Sequence, residues 1–343
     1  GKLPHVPIAM VVTFMGREML TNTQKYILCK YGSFDSVPPI EERTEEQVRD
    51  HCARSTLQEL TATARDVWNV YGDTDSVFLR LEGECDIQRA SARAKELAAM
   101  VNRVIPPPNM LEFEKVYLPL ILGGKKRYAG TKYDEGREPA SLDVKGYEMV
   151  RRDNFPLLNR TMRQMVERIL DNDVRGGENV ARRAVTQLLT TPSHQLDHQA
   201  LTICKELTKP VHEYASPPPH VAVAKRMGNF QVHDRISYLK QVGRGGVADN
   251  AVHPDEWDGA RHRIDTGWYA EQLKRSLLRI LSLCSNRPDA VFESIEGAVT
   301  ATGASGILRA MGAPADLVWR KTAYVAPNKK RKRKQLTLLD VLK

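Results

Sequence analysis

The chain has 343 residues, 41% of them hydrophobic and 27% charged, and its formal net charge at pH 7 is +9. This is the composition of a folded globular protein, and no apolar run approaches the roughly 20 residues that a membrane-spanning helix needs. The first residues lack the charged and apolar regions of a secretory signal, so the sequence predicts an intracellular protein with no membrane partner.

The positive charge is concentrated at one end of the chain. Residues 321–343 hold eight lysines and arginines and one acid, so the remaining residues are close to charge balance. Any contact that the rest of the chain makes with nucleic acid must therefore come from local basic patches. The tail itself is too highly charged to fold unaided.

The five cysteines are scattered, and none forms a CxxC pair. They stand at Cys29, Cys52, Cys85, Cys204 and Cys284. This spacing argues against a zinc ribbon, an iron–sulfur cluster and a disulfide framework. It predicts reduced thiols, most of them buried.

The first part of the chain alternates between helical and strand patterns. Residues 1–65 predict a short lead-in followed by helices, and residues 66–82 predict a hairpin around a Gly-Asp-Thr-Asp turn. An amphipathic helix follows, with an apolar stripe (Ala94, Leu97, Ala98, Val101 and Ile105), and three prolines at 106–108 are expected to end it. Residues 111–122 and 125–133 predict two further strands.

From about residue 155 the pattern becomes helical. One apolar face runs from Leu158 to Leu170 and another from Leu273 to Cys284. A proline-rich bend at 216–219 and a glycine-rich loop at 243–246 lie between them. The predicted fold class is α+β, with a mixed first part to about 150 and a mainly helical second part to about 320.

Two carboxylates, Asp73 and Asp75, stand two residues apart at the predicted hairpin turn. Close carboxylates with no nucleophile beside them suit hard divalent cations such as Mg²⁺. The alternative is an ordinary turn, because aspartate bonds its own backbone and is common in turns.

Several segments resemble those of family B DNA polymerases. YGDTDS at 71–76 resembles motif C of the palm, KKRYAG at 125–130 resembles the KKxY element, and KGYEMVRRD at 145–153 resembles the stretch at the palm–thumb junction. Further segments are similar to the thumb of the delta-like branch, which serves eukaryotes and large DNA viruses; they lie at 203–209, 219–227, 234–238 and 264–273. The resemblance covers roughly residues 1–285 in the order of the family.

The resemblance implies a palm at 1–154, a thumb at 155–320 and a basic tail at 321–343. It implies that two Mg²⁺ ions serve nucleotidyl transfer, with Asp75 as the principal metal ligand and Asp73 as an auxiliary one. Glu114 matches an acidic position near the family's metal site. It could instead face solvent or pair with Lys115.

The same resemblance implies contacts with primer–template DNA. Lys125, Lys126, Arg127 and Tyr128 are expected near the minor groove at the primer end, and Lys145, Arg151 and Arg152 form a second basic patch. The alternatives are a solvated basic strand and, for Arg152, salt bridges to Glu148 or Asp153. His233 and Ser237 depart from the family pattern, which usually has glycine and proline there.

The end of the tail is spaced like a sliding-clamp-binding box, with Gln335, Leu338, Val341 and Leu342 at its anchor positions. The usual aromatic pair is replaced by Val341 and Leu342, which should weaken docking. The alternative is a frayed amphipathic end. The basic run at 329–334 is a candidate nuclear localisation signal or a non-specific DNA contact.

Residues 3–20 resemble the segment that directly follows motif B of the family. The first hypothesis is therefore the C-terminal part of a replicative DNA-directed DNA polymerase, which uses deoxynucleoside triphosphates in the nucleus or at a viral replication site. This chain alone would be inactive, because motifs A and B would lie on a preceding segment or a separate chain.

The second hypothesis is a catalytically incomplete palm–thumb module that binds DNA and a clamp. A DxD glycosyltransferase is the weakest reading, since it does not explain KKRYAG.

Overall fold

A computed structural model describes residues 6–32, 42–63, 67–81, 83–84, 86–105, 107–134 and 140–293. Outside these ranges lie Cys85, Pro106 of the proline run, and all four anchor residues of the clamp-binding-like box. Contacts divide the described residues into two units. The first takes the residues up to 120 with 124–126 and 130–143, and the second takes 121–123, 127–129 and the residues from 144 onwards.

The α+β fold class is confirmed. The helices are α1 (Val6–Tyr31), α2 (Glu45–Arg54), α3 (Leu57–Thr63), α4 (Ile87–Val101), α5 (Pro156–Leu170), α6 (Val174–Thr190), α7 (His198–Leu201), α8 (Pro219–Met227) and α9 (Thr266–Cys284). The strands are β1 (Val67–Asp73), β2 (Ser76–Leu81), β3 (Lys115–Gly124), β4 (Arg127–Asp134), β5 (Ser141–Lys145), β6 (Ile203–Glu206), β7 (Arg235–Lys240) and β8 (Ala251–Val252). None of the described helices is both long and apolar enough to cross a bilayer.

The core of the first unit is built between α1 and the elements that follow it. Its buried side chains include Ile27, Leu28, Val48, Leu60, Val67, Leu97 and Val101. A capping box of Thr44 and Gln47 starts α2, and the carboxylate of Asp86 caps α4. These local signals place the helices, and the shared apolar core then holds α1, α2, α4 and β1 together.

The prediction that the prolines end α4 was wrong in its boundary. The helix ends at Val101, and Asn102 then exchanges two hydrogen bonds with the backbone of Leu111, at 2.9 and 2.7 Å. This side-chain bridge turns the chain before the prolines are reached. Ile105 still packs against the core, although it lies beyond the helix.

The predicted hairpin at 66–82 is confirmed, since β1 pairs antiparallel with β2 and Asp73 lies opposite Ser76. The predictions of the two later strands, at 111–122 and 125–133, were only partly correct. Residues 111–114 stay outside β3, because the backbone of Leu111 is bonded to Asn102 instead of to a strand. Lys125 and Lys126 form the turn between β3 and β4 rather than a strand, and Lys126 has a φ of +58°.

Both predicted helical faces of the second unit are confirmed. The apolar residues of α5 and of α9 are buried, and these helices pack with α6. Close packing of α5 and α6 depends on Gly177, where a Cβ would lie 2.8 Å from the side chain of Ile169. The "mainly helical" interpretation overlooked a sheet with the order β6-β7-β8, whose strands are only four, six and two residues long.

Candidate active site and DNA-contact residues

The carboxylate pair sits on a tight, internally bonded turn. Asp73 ends β1, Thr74 adopts a φ of +59°, and the amide of Asp75 donates to the carbonyl of Asp73 at 2.7 Å. The hydroxyl of Ser76 donates to the same carbonyl at 3.1 Å. The backbone of this turn is therefore satisfied within the turn, which leaves the carboxylates available for other partners.

Lys126, from the β3–β4 turn, lies on this hairpin. Its Nζ is 2.9 Å from Oδ2 of Asp73, and its backbone amide donates to the hydroxyl of Tyr71 at 2.7 Å. All three residues belong to the first unit. These two contacts of Lys126 thus hold the β3–β4 turn beside the turn that carries Asp73 and Asp75.

The ion pair shifts both groups towards their charged forms. The hydrogen bond from Lys126 lowers the pKa of Asp73, and the bond to Asp73 raises the pKa of Lys126. Because the Lys126 side chain is 71% exposed and that of Asp73 is 31% exposed, the pair contributes little to folding stability. Its significance is that it brings together two residues that the sequence places 53 positions apart.

Asp75 is exposed and lines a pocket of about 540 Å³ within the first unit. Phe78 forms part of the pocket wall. The centre of its ring lies 5.9 Å from that of Tyr117, on which it is stacked, and 5.3 Å from that of Tyr71, which it meets edge-on. Glu114 lines the same pocket, but its carboxylate is 73% exposed and pairs with Lys115 at 2.8 Å. The pairing that the sequence left open for Glu114 is therefore present.

The donor chemistry of the turn fits a hard divalent cation, because both Asp73 and Asp75 offer carboxylate oxygens. In the described part of the chain, no group of three or more Asp, Glu, His or Cys side chains is placed to hold a metal. A metal at this turn would need further ligands besides the two aspartates.

The other predicted DNA-contact residues belong to different elements. Lys125 is exposed in the turn beside Lys126, whereas Arg127 and Tyr128 begin β4 and group with the second unit. Lys145, Arg151 and Arg152 are exposed. The proposed partner of Arg152, Glu148, pairs instead with Arg279.

Sequence reasoning missed Gln24 of α1. It is 5% exposed, and a Cβ at Gly72 would lie 2.3 Å from its Nε2, so its amide packs directly on β1 beside Asp73. No local pattern marks this glutamine, which is 48 residues away from Gly72 along the chain.

One departure from the family pattern has a clear geometry. His233 has a φ of +76°, in the left-handed region that favours glycine. Its Nδ1 lies 3.0 Å from Oε1 of Glu206. A glycine would adopt this backbone conformation at lower cost.

Comparison with known proteins agrees with these motifs. The family model "DNA polymerase family B" matches residues 1–284. The DNA polymerase delta catalytic subunit of Bos taurus is 34% identical over 304 residues, which are 85% of this chain and 25% of the relative. The same subunit of Mesocricetus auratus is 34% identical over 292 residues, which are 82% of this chain and 24% of the relative. That of Plasmodium falciparum is 29% identical over 301 residues, which are 85% of this chain and 25% of the relative. The chain spans about a quarter of the length of these relatives.

Proposed function

Because this chain belongs to DNA polymerase family B and is delta-like within it, we propose that it is part of a DNA-directed DNA polymerase. It contributes part of the palm with one half of the metal site, and a thumb that holds primer–template DNA. Motifs A and B, which complete the site, come from residues outside this chain. The observation that carries the proposal is the contact of Lys126 with both Asp73 and Tyr71.

Asp75 and Asp73 are the residues that would hold Mg²⁺. When bound, the metal stabilises negative charge that develops on the phosphates of a deoxynucleoside triphosphate. Asp75 is the stronger candidate, since its carboxylate is exposed at the tip of the turn, whereas Asp73 is already paired with Lys126. Glu114 is a weaker candidate because Lys115 neutralises it.

Lys126 has a dual role in this proposal. It neutralises Asp73, which would otherwise repel the DNA backbone, and its exposed Nζ can also reach an acceptor on the duplex. Lys125, Arg127 and Tyr128 extend the DNA-contact surface along the chain, and Lys145, Arg151 and Arg152 add a second patch of positive charge. Such contacts read the backbone and the minor groove, which suits an enzyme that must accept every sequence.

The direct test is template-directed primer extension. We expect no extension by this chain alone and extension when it is combined with, or joined to, the family segment that carries motifs A and B. DNA binding without extension in the combined protein would favour the second hypothesis, a DNA- and clamp-binding module. Failure of both extension and primer–template binding would contradict both hypotheses.

Lys126→Ala and Tyr128→Ala are each expected to weaken primer–template binding by about tenfold, since each removes one directional contact with the duplex. Only Lys126→Ala should reduce the slope of log affinity against log salt, by about one, because only that change removes a cation. Fluorescence anisotropy across a salt series measures both effects. Arg54→Ala, which removes a similarly exposed cation from α2, should change neither. An unchanged affinity in both variants would remove the assigned DNA contacts.

The tail is proposed to bind a sliding clamp through Gln335, Leu338, Val341 and Leu342. Short apolar anchors on a tether gain from a raised effective concentration, so weak docking is sufficient. Gln335→Ala should reduce capture of the chain by an immobilised clamp several-fold, whereas Thr337→Ala should not. Equal capture of wild type and both variants would contradict the proposal. The basic run at 329–334 supports a nuclear site of action.

A further inference from the structure

One irregular segment of the second unit exposes two arginines between two buried side chains. Met149 and Phe155 are 5% and 2% exposed, whereas Arg151 and Arg152 between them are exposed. Residues 151–155 belong to no helix or strand. The repeating hydrogen bonds of a helix or a sheet therefore do not fix the backbone from which the two arginines project. Side-chain contacts from neighbouring elements do so instead.

The carbonyl of Arg151 is held by α5. Nδ2 of Asn159, in the first turn of that helix, donates to this carbonyl at 2.9 Å. Oδ1 of the same side chain is buried and has no hydrogen-bond partner within the described residues. Because an unpaired buried acceptor costs stability, the Asn159 side chain contributes little net stability to the fold. Its clearest contribution is to fix the backbone at Arg151.

The carbonyl of the next residue is held from β7. Nη2 of Arg235 donates to the carbonyl of Arg152 at 3.0 Å and to the carbonyl of Cys204 at 2.7 Å. Cys204 lies on β6, which pairs antiparallel with β7. One nitrogen atom of Arg235 therefore ties the irregular segment to a hydrogen-bonded sheet.

A third set of contacts fixes the start of the segment. The carboxylate of Glu148 is 12% exposed and forms an ion pair with Arg279 of α9. The carbonyl of Glu148 accepts from the backbone amide of Arg151 at 3.0 Å and from Nδ2 of Asn154 at 3.3 Å. Two helices and a sheet thus hold this backbone, and none of these contacts uses the guanidinium of Arg151 or Arg152.

We propose that Asn159 and Arg235 are positioning residues for DNA binding. They fix the backbone at Arg151 and Arg152, so that both guanidiniums are presented to phosphates of the primer–template duplex. This inference rests on the proposed function, in which these two arginines contact DNA. A backbone that is already ordered reduces the conformational entropy that is lost when long cationic side chains bind.

The test measures the affinity of the whole chain for a labelled primer–template duplex by fluorescence anisotropy across a salt series. Arg151→Ala should weaken binding by about tenfold and lower the slope of log affinity against log salt by about one. Asn159→Leu removes no charge, yet it should weaken binding several-fold and lower the same slope, because Arg151 is no longer held. The urea midpoint of Asn159→Leu should change little, since the unpaired Oδ1 disappears with the hydrogen bond.

Double variants separate positioning from a general structural role. Asn159→Leu should cause no further loss of affinity in the Arg151→Ala background, because the asparagine acts through that arginine. Asn159→Ala is the second variant if leucine is not accommodated. Arg235→Lys keeps the cation but shortens the side chain and removes the guanidinium fork, so it should weaken binding in wild type and not in Arg152→Ala.

Asn179→Leu is the matched control. The Asn179 side chain bonds Arg182 on its own helix, α6, and its loss should change neither affinity nor salt slope. An Asn159→Leu variant with full affinity would overturn the proposal, as would an equal loss with and without Arg151. Full affinity of Arg235→Lys would overturn it for Arg235.

These failures differ from a failure of the proposed function. If Arg151→Ala and Arg152→Ala weaken binding but Asn159→Leu and Arg235→Lys do not, the DNA contacts stand and only the positioning role is wrong. If wild type does not bind the primer–template duplex, the proposed function and the positioning role are both wrong.

Discussion

Replacing Asp75 by alanine is expected to lower primer extension by about a thousandfold or more in the complete enzyme, with primer–template affinity largely unchanged. The expected reason is electrostatic: in the proposed site Asp75 is the exposed carboxylate that would hold the metal, and without it the metal would no longer stabilise developing phosphate charge, a stabilisation of roughly several kcal/mol. Asp75 has the required exposure and lines the pocket with Ser76 and Phe78. Single-turnover primer extension in saturating Mg²⁺ measures the effect.

The matched control is Asp50→Ala, which removes an exposed carboxylate from α2 and should leave the rate unchanged. Asp73→Ala should have a smaller effect than Asp75→Ala on the rate. It should not weaken DNA binding as Lys126→Ala does, because it removes a negative charge near the phosphates. An Asp75→Ala enzyme with nearly normal extension would show that the turn does not hold a catalytic metal.

Replacing Gly123 by alanine is expected to destabilise the second unit by about 2–3 kcal/mol. A Cβ at Gly123 would lie 2.2 Å from the hydroxyl oxygen of Tyr147 and 3.3 Å from Cδ1 of Leu283. Tyr147 is only 2% exposed, and because protein interiors are closely packed its ring cannot move away without displacing its neighbours. The free energy of unfolding in urea measures the loss.

A second substitution tests the contact itself. Within the described residues, the hydroxyl of Tyr147 is buried without a hydrogen-bond partner, so Tyr147→Phe alone should be neutral or slightly stabilising. In the Gly123→Ala background it should recover most of the lost stability, because it removes the atom nearest to the new methyl group. Gly259→Ala, where nothing lies within 4 Å of the added Cβ, is the matched control and should have little effect. Failure of Tyr147→Phe to rescue Gly123→Ala would contradict this account.

The sequence predicted those features that depend on neighbouring residues. The hairpin of β1 and β2, and the buried faces of α5 and α9, follow from periodicity and turn chemistry within 15 to 20 residues. The motifs around Asp73 and Lys126 also pointed to family B, which the match over residues 1–284 confirmed. The short sheet β6-β7-β8 was overlooked, because strands of two to six residues leave almost no periodic signal.

Sequence alone thus determined the local elements, the fold class and the family, since each depends on residue types at short spacing. Only the tertiary structure decided which distant groups meet: Lys126 with Asp73, Gln24 with Gly72, and Tyr147 with Gly123. It also paired Glu114 with Lys115, which weakened a metal role that spacing had left open. The physical reason is that packing around a common core, not distance along the chain, sets these contacts, and no local pattern encodes them.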